Sequence, residues 1–118
     1  MKVSGTYTKN ILPQEVQRRL ERGEKLNLLD VREHDEWEAG HIPGAKHIPL
    51  GSLGERHKEL DPGEETIVIC RSGNRSALAC EYLASMGYKV VNMQGGMIEW
   101  TGNIEYGKSP CYTGGVML

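Results

Sequence analysis

The segment spanning residues 66–86, TIVICRSGNRSALACEYLASM, decides the fold because it joins a strand to a helix through a short polar loop. Its first four residues, Thr66–Ile69, are all β-branched, which favours a strand buried on both faces. Over residues 75–86, apolar side chains recur at the spacing of a helix: Leu78, Tyr82, Leu83 and Met86. Gly87 follows the last of them and is typical of a helix end.

Outward from this unit, strand and helix signals repeat along the chain. Short apolar runs predict further strands over residues 26–31, 45–48 and 89–93. Helical segments are predicted from Pro13 to Gly23 and over residues 33–39 and 52–60. Strands alternating with helices are typical of βαβ crossovers. The sequence therefore predicts an α/β fold, with a mostly parallel central sheet and helices on both faces.

Size, charge and cysteine content exclude several classes of function. The 118 residues have the size of one domain, and residues 103–118 have weak periodicity, which predicts a partly mobile tail. A formal net charge of −2 gives no basic field for nucleic acid or anionic lipid, so neither is expected as a partner. With no long apolar run, a cytoplasmic protein is expected. Three cysteines without a C-x-x-C pair argue against a disulfide framework and against a metal site.

Cys70 stands where the strand over Thr66–Ile69 ends, and parallel sheets bind ligands at that edge. The next residues include flexible Gly73 and Asn74, which tolerates positive φ, and a helix that begins near residue 75 or 76. Such a loop can turn its amide hydrogens inward, and the helix dipole and two arginines add positive potential. We therefore expect Cys70 to have a lowered pKa and to act as a nucleophile. The alternative, a small apolar residue that merely ends a strand, does not explain the polar loop.

Four segments together resemble the rhodanese sulfurtransferases. The loop 70–76 (CRSGNRS) resembles the active-site loop of that family. The segments 28–32 (LLDVR), 40–45 (GHIPGA) and 95–100 (GGMIEW) resemble further motifs of the family, in the same order. The resemblance covers residues 8–102 and implies a rhodanese-like domain, an α/β fold of three layers whose central, mostly parallel sheet has about five strands. The tail after Trp100 departs from the usual ending of the family, which leaves the role of Cys111 open.

The resemblance implies that Cys70 takes a sulfane sulfur from a small anionic donor such as thiosulfate and passes it to an acceptor as a persulfide. The acceptor is expected to be cyanide, a thiol such as glutathione, or a protein such as thioredoxin. No cofactor is implied, and a monomer or weak dimer is expected. Five loop residues are expected to bind the substrate: Arg71, Ser72, Gly73, Asn74 and Arg75.

Two rival functions are less well supported by the sequence. A cysteine phosphatase or arsenate reductase would need an arginine six residues after its cysteine, whereas here Arg75 comes fifth and Ser76 sixth. A persulfide carrier or a protein-binding module of the same family is the second rival, although inactive modules lack the cysteine.

Other conspicuous residues are expected to be structural. Asp30 is expected to pair with Arg32 or to anchor a turn. The two tryptophans, Trp37 and Trp100, are expected to fill space between helices and sheet. Cys80 is expected to be a buried spectator. The four histidines show no metal-ligand spacing: His34, His41, His47 and His57.

Overall fold

The central feature of the computed structural model, which describes residues 9–107, is a five-stranded sheet in the order β1-β5-β4-β2-β3. Every neighbouring pair of strands is parallel. The strands are β1 (Asn10–Ile11), β2 (Asn27–Asp30), β3 (Lys46–His47), β4 (Thr66–Ile69) and β5 (Val90–Met93). The predicted α/β fold with a parallel sheet is confirmed.

Helical elements connect the strands. The α-helices are α1 (Pro13–Glu21), α2 (His34–Glu38), α3 (Leu53–Arg56) and α4 (Asn74–Ser85). Three 3₁₀ turns span Leu50–Ser52, His57–Glu59 and Gly96–Glu99. No helix between residues 9 and 107 is long and apolar enough to cross a bilayer.

The segment predicted as a helix, residues 52–60, is helical in the structure, but only its middle part is α-helical. The chain there forms α3 with a 3₁₀ turn on either side, closed by bonds from Ser52 N to Pro49 O and from Leu60 N to His57 O. Both of these bonds join residues three positions apart, and such 3₁₀ turns are frequent at the ends of α-helices.

The sheet carries a hydrophobic core on each face, because successive side chains of a strand point to opposite sides. In β4, Ile67 and Ile69 join a cluster with Val16 of α1 and with Trp37. Val68 lies on the other face, in a cluster with Cys80 and Leu83 of α4. Each fully buried apolar side chain of this size contributes about 1.5–3 kcal/mol to folding. Burial of Trp37 and Cys80 is confirmed.

Strand β4 lies between β2 and β5, so its carboxyl end opens at the middle of the sheet edge. The register places Ile69 beside Asp30 of β2 and Val68 beside Asn92 of β5. Cys70, the next residue, therefore emerges between two strand ends that both carry polar side chains.

The predicted tail over residues 103–118 is described only as far as Gly107. Glu105 forms an antiparallel bridge with His41, and Gly107 N donates to Glu38 O at 2.9 Å. Cys111 and the rest of the tail lie outside the described residues. The prediction of a single domain over residues 1–118 reaches beyond the described part and stays a prediction.

Candidate active site

The loop after Cys70 turns sharply because Gly73 adopts a left-handed conformation, with φ of +102°. Gly73 is the N-cap of α4, and a Cβ placed on it would lie 3.1 Å from Gly95 N. Asn74, a residue type that tolerates positive φ, is instead the first residue of α4. The helix therefore begins one or two residues earlier than predicted, because glycine accepts the strained cap position without steric penalty.

The sulfur of Cys70 is fully buried and surrounded by hydrogen-bond donors. Gly73 N–H donates to Sγ with an N···S distance of 3.0 Å, and the Ser76 hydroxyl lies 3.3 Å from Sγ. Burial raises the pKa of this thiol, but the Ser76 hydroxyl and the backbone N–H groups of Ser76, Gly73 and Ser72 lower it more. The net result is a lowered pKa, in the predicted direction.

The loop amides face the sulfur because another segment binds the loop carbonyls. Met97 N donates to Cys70 O at 2.9 Å, and Ile98 N donates to Arg71 O at 3.0 Å. The C=O and N–H of a trans peptide point in opposite directions, so binding Arg71 O outward turns Ser72 N–H inward. The GGMIEW motif at residues 95–100 therefore orients the loop from behind.

Gly96 allows this contact, since a Cβ on it would lie 2.4 Å from Arg71 O and its φ is +62°. We expect Gly96→Ala to lower the free energy of unfolding by about 1–3 kcal/mol and to displace the loop. Alkylation of Cys70 by iodoacetamide at neutral pH should slow by about tenfold, because a rise of about one unit in the pKa of Cys70 leaves about a tenth as much thiolate.

Gly87→Ala is the matched control, because Gly87 also has positive φ, +94°, but nothing lies within 4 Å of its Cβ position. This variant should lose stability from backbone strain and keep the reactivity of Cys70. Equal reactivity of the Gly96 and Gly87 variants would contradict the role of Gly96.

The two arginines of the loop lie in different environments. Arg71 is exposed, as are Ser72 and Asn74. Arg75 is half-buried, and its Nη1 and Nη2 donate to Glu36 Oε1 and Oε2 at 2.7 and 2.8 Å. Hydrogen bonding from Arg75 lowers the pKa of Glu36 to about 2, so the pair stays ionised well below neutral pH. Arg75 therefore joins the loop to α2, and Arg71 is the arginine open to solvent.

Two buried polar residues behind the sulfur were not predicted as site residues. The Ser76 hydroxyl lies 2.5 Å from Asn92 Oδ1, and Asn92 Nδ2 donates to Gly73 O at 3.2 Å. Asn92 is the only polar side chain in the apolar run VVNM of β5. A lone amide in a buried strand was the signal that could have identified it, because buried polar groups need partners.

An ion pair holds the carboxyl end of β2, the strand beside β4. Asp30 and Arg32 are almost completely buried, and Arg32 Nη2 lies 2.8 Å from Asp30 Oδ2. Arg32 Nη2 also donates to Gly40 O at 2.8 Å, which connects this pair to the GHIPGA motif. The predicted ion pair is confirmed.

Three of the histidines serve the fold. His41 stacks on Trp37 with ring centroids 3.5 Å apart, and His47 stacks on Trp37 at 4.7 Å. Ring nitrogens of His41, His47 and His57 lie within hydrogen-bond distance of Trp37 O, Arg32 O and the Tyr88 hydroxyl. These nitrogens are thus directed to groups other than Cys70. Between residues 9 and 107, no three potential metal ligands are grouped.

Comparison with known proteins agrees with this geometry. The family model of the rhodanese-like domain matches residues 12–103. The candidate sulfurtransferase YtwF of Bacillus subtilis (strain 168) is 44% identical over 94 residues, covering 80% of this chain and 91% of YtwF. The candidate sulfur carrier protein YrkF of the same strain is 46% identical over 88 residues, covering 74% of this chain. The match covers 48% of YrkF, so the chain spans about half the length of that relative.

Solved structures show the same fold. The crystal structure of a rhodanese-like domain protein from Staphylococcus aureus superposes with a TM-score of 0.81 at 31% identity. The superposition covers 86% of this chain and 100% of the chain from Staphylococcus aureus. The resemblance carried by the four sequence motifs is therefore confirmed. This chain belongs to the rhodanese-like domain family.

Proposed function

We propose that this chain is a rhodanese-type sulfurtransferase or sulfur carrier that holds sulfane sulfur as a persulfide on Cys70. The observation that carries the proposal is the buried Cys70 sulfur, which faces the N–H groups of Ser72, Gly73 and Ser76 and the Ser76 hydroxyl. Such a pocket stabilises negative charge on sulfur. The names of YtwF and YrkF, a candidate sulfurtransferase and a candidate sulfur carrier, support the same chemistry.

The reaction proceeds in two displacements. The Cys70 thiolate attacks the outer sulfur of thiosulfate, forming a new S–S bond as the bond to the sulfonate sulfur breaks and its electron pair leaves with sulfite. An acceptor nucleophile then attacks the outer sulfur of the persulfide, and the Cys70 thiolate leaves. A lowered pKa serves both steps, since it provides the thiolate at neutral pH and makes that thiolate a better leaving group.

We assign different roles in substrate binding to the loop residues. Arg71 is exposed and attracts the anionic donor, while the amides of Ser72 and Gly73 bind the sulfur. Asn74 lies at the exposed first turn of α4. Arg75 positions the loop through Glu36 and adds positive charge beside Cys70.

Arg71→Ala is expected to raise the KM for thiosulfate by about tenfold and to change kcat little. The substitution removes a positive charge that attracts thiosulfate, but it leaves the N–H and O–H groups around the Cys70 sulfur in place. The measurement is steady-state sulfur transfer at low and high ionic strength, since salt screens an exposed charge. Arg71→Lys keeps the charge and should restore most of the affinity. An unchanged KM in Arg71→Ala would contradict this role.

A cysteine phosphatase or arsenate reductase is less well supported. Besides its position five residues after Cys70, Arg75 is bound to Glu36 by two hydrogen bonds and is not free to clamp an oxyanion. An inert binding module would not need a buried cysteine with four donors.

Initial-rate kinetics of sulfur transfer from thiosulfate to cyanide, glutathione or thioredoxin test the proposed function. Two displacements through a covalent intermediate predict parallel double-reciprocal lines for each acceptor that is used. Hydrolysis of a phosphate ester without sulfur transfer would refute the proposal. A cytoplasmic location and a monomer or weak dimer stay predictions.

A further inference from the structure

The Ser76 hydroxyl lies between two acceptors and has one proton to donate. Its oxygen is 2.5 Å from Asn92 Oδ1 and 3.3 Å from Cys70 Sγ. Ser76 is fully buried and Asn92 is 6% exposed, so water does not readily substitute for either contact. A hydroxyl has one O–H group, so it cannot donate to both acceptors at once.

Asn92 is held with its carbonyl oxygen toward Ser76. Its Nδ2 donates to Gly73 O at 3.2 Å, which assigns the two ends of the amide, since the opposite orientation would place two oxygens together. Its backbone N donates to Lys9 O at 3.0 Å, and its position in β5 pairs with Val68. Asn92 therefore presents a fixed acceptor on a rigid strand.

The charge on the Cys70 sulfur decides which acceptor Ser76 uses. A neutral thiol can donate its own proton to Ser76 Oγ while Ser76 donates to Asn92. A thiolate has no proton and accepts strongly, so the Ser76 hydroxyl must turn to Sγ and leave Asn92 Oδ1. In a persulfide the negative charge moves to the outer sulfur, and the inner sulfur again competes weakly for the hydroxyl.

We propose that Ser76 changes acceptor in each half of the sulfur-transfer cycle, between Cys70 Sγ and Asn92 Oδ1, and that Asn92 is the positioning residue that makes this a two-position switch. The inference rests on the proposed function, because the transfer cycle is what alternates the charge on Sγ. Asn92 competes with the Cys70 thiolate for the Ser76 hydroxyl. The thiolate is therefore less stabilised, and more reactive, than it would be without Asn92.

The other charged or titratable groups on the segments around this loop are unchanged in the test variants. Arg75 and Cys80 lie on α4, and Arg71 follows Cys70 in the loop. Glu99 lies on the 3₁₀ turn behind the loop, where its carboxyl group approaches Gly95. From β5 the group that faces the Ser76 hydroxyl is the neutral amide of Asn92.

Two substitutions should move the pKa of Cys70 in opposite directions. Ser76→Ala removes a donor to the thiolate and should raise this pKa by about one unit. Asn92→Leu removes the competing acceptor, frees the hydroxyl for sulfur, and should lower the pKa by about half a unit to one unit. The pKa is measured from the pH dependence of iodoacetamide alkylation, resolved to the peptide that contains Cys70.

The double variant Ser76→Ala/Asn92→Leu separates the switch from a general loosening of the loop. Without the hydroxyl, Asn92 has nothing to compete for, so the double variant should match Ser76→Ala. Ser76→Thr keeps the hydroxyl and should stay near the wild-type pKa. Val91→Ala is the control, because Val91 is buried in the same strand but packs in the core cluster on the opposite face of the sheet. If Asn92→Leu does not fold, Asn92→Ala removes the same acceptor.

A rise in pKa for both single variants, or an effect of Asn92→Leu that persists without the Ser76 hydroxyl, would overturn the switch. Alkylation does not require sulfur transfer, so failure of the switch appears in these pKa values. Failure of the proposed function would appear in turnover with the pKa shifts intact.

Discussion

Replacing Cys70 with serine should abolish sulfur transfer, lowering kcat/KM by at least about a thousandfold. A serine hydroxyl stays protonated at neutral pH and cannot form a persulfide, so neither displacement can occur. The four donors around the sulfur would remain, but they would have no thiolate to stabilise. The measurement is steady-state transfer from thiosulfate to the acceptor that the wild-type protein uses best.

Cys80→Ala is the matched control for this prediction. Cys80 is equally buried, and burial raises its pKa to about 12, so it is a neutral thiol in the core under all ordinary conditions. Cys80→Ala should turn over at close to the wild-type rate. Turnover that survives in Cys70→Ser, or that is lost in Cys80→Ala instead, would show that Cys70 is not the cysteine that carries the sulfur.

Asp30→Ala should lower the free energy of unfolding by about 3–5 kcal/mol, the usual penalty for leaving a buried charge without its partner. Asp30 is 1% exposed and Arg32 6% exposed, and three side-chain contacts of 2.8–3.1 Å join them. Asp30 Oδ1 also accepts from Arg32 N at 3.0 Å, so the same substitution opens the turn that follows β2. Urea denaturation followed by circular dichroism measures the change.

An exposed ion pair provides the comparison. Lys9 and Glu65 lie 2.7 Å apart with side chains 64% and 41% exposed, and Glu65→Ala should cost less than about 1 kcal/mol. Replacing both buried partners, as in Asp30→Leu/Arg32→Met, should recover part of the stability because no unpaired charge remains. Similar losses for Asp30→Ala and Glu65→Ala would show that the buried pair is not what holds this strand end.

Local sequence patterns predict the elements that position the site. The β-branched run Thr66–Ile69 is recognisable as a strand because both of its faces are buried, and its end places Cys70 at the sheet edge. The helical spacing after the loop is equally local. These two signals are enough to predict a nucleophile between a strand and a helix.

Features that depend on distant parts of the chain are not visible in sequence. Strand β1 has two residues, too few for an alternating pattern, and becomes a strand only by pairing with β5. The Glu36–Arg75 pair joins residues 39 positions apart, and Ser76 meets Asn92 across 16 positions. Parallel sheet topology brings these residues together, and no local propensity encodes it.

Peptide-resolved mass spectrometry after incubation with thiosulfate tests most directly whether Cys70 is the atom that carries sulfur. We expect the peptide containing Cys70 to gain the mass of one sulfur atom, cyanide to remove that mass, and the peptide containing Cys80 to be unchanged. No adduct on Cys70, or an adduct found on a different cysteine, would contradict this expectation.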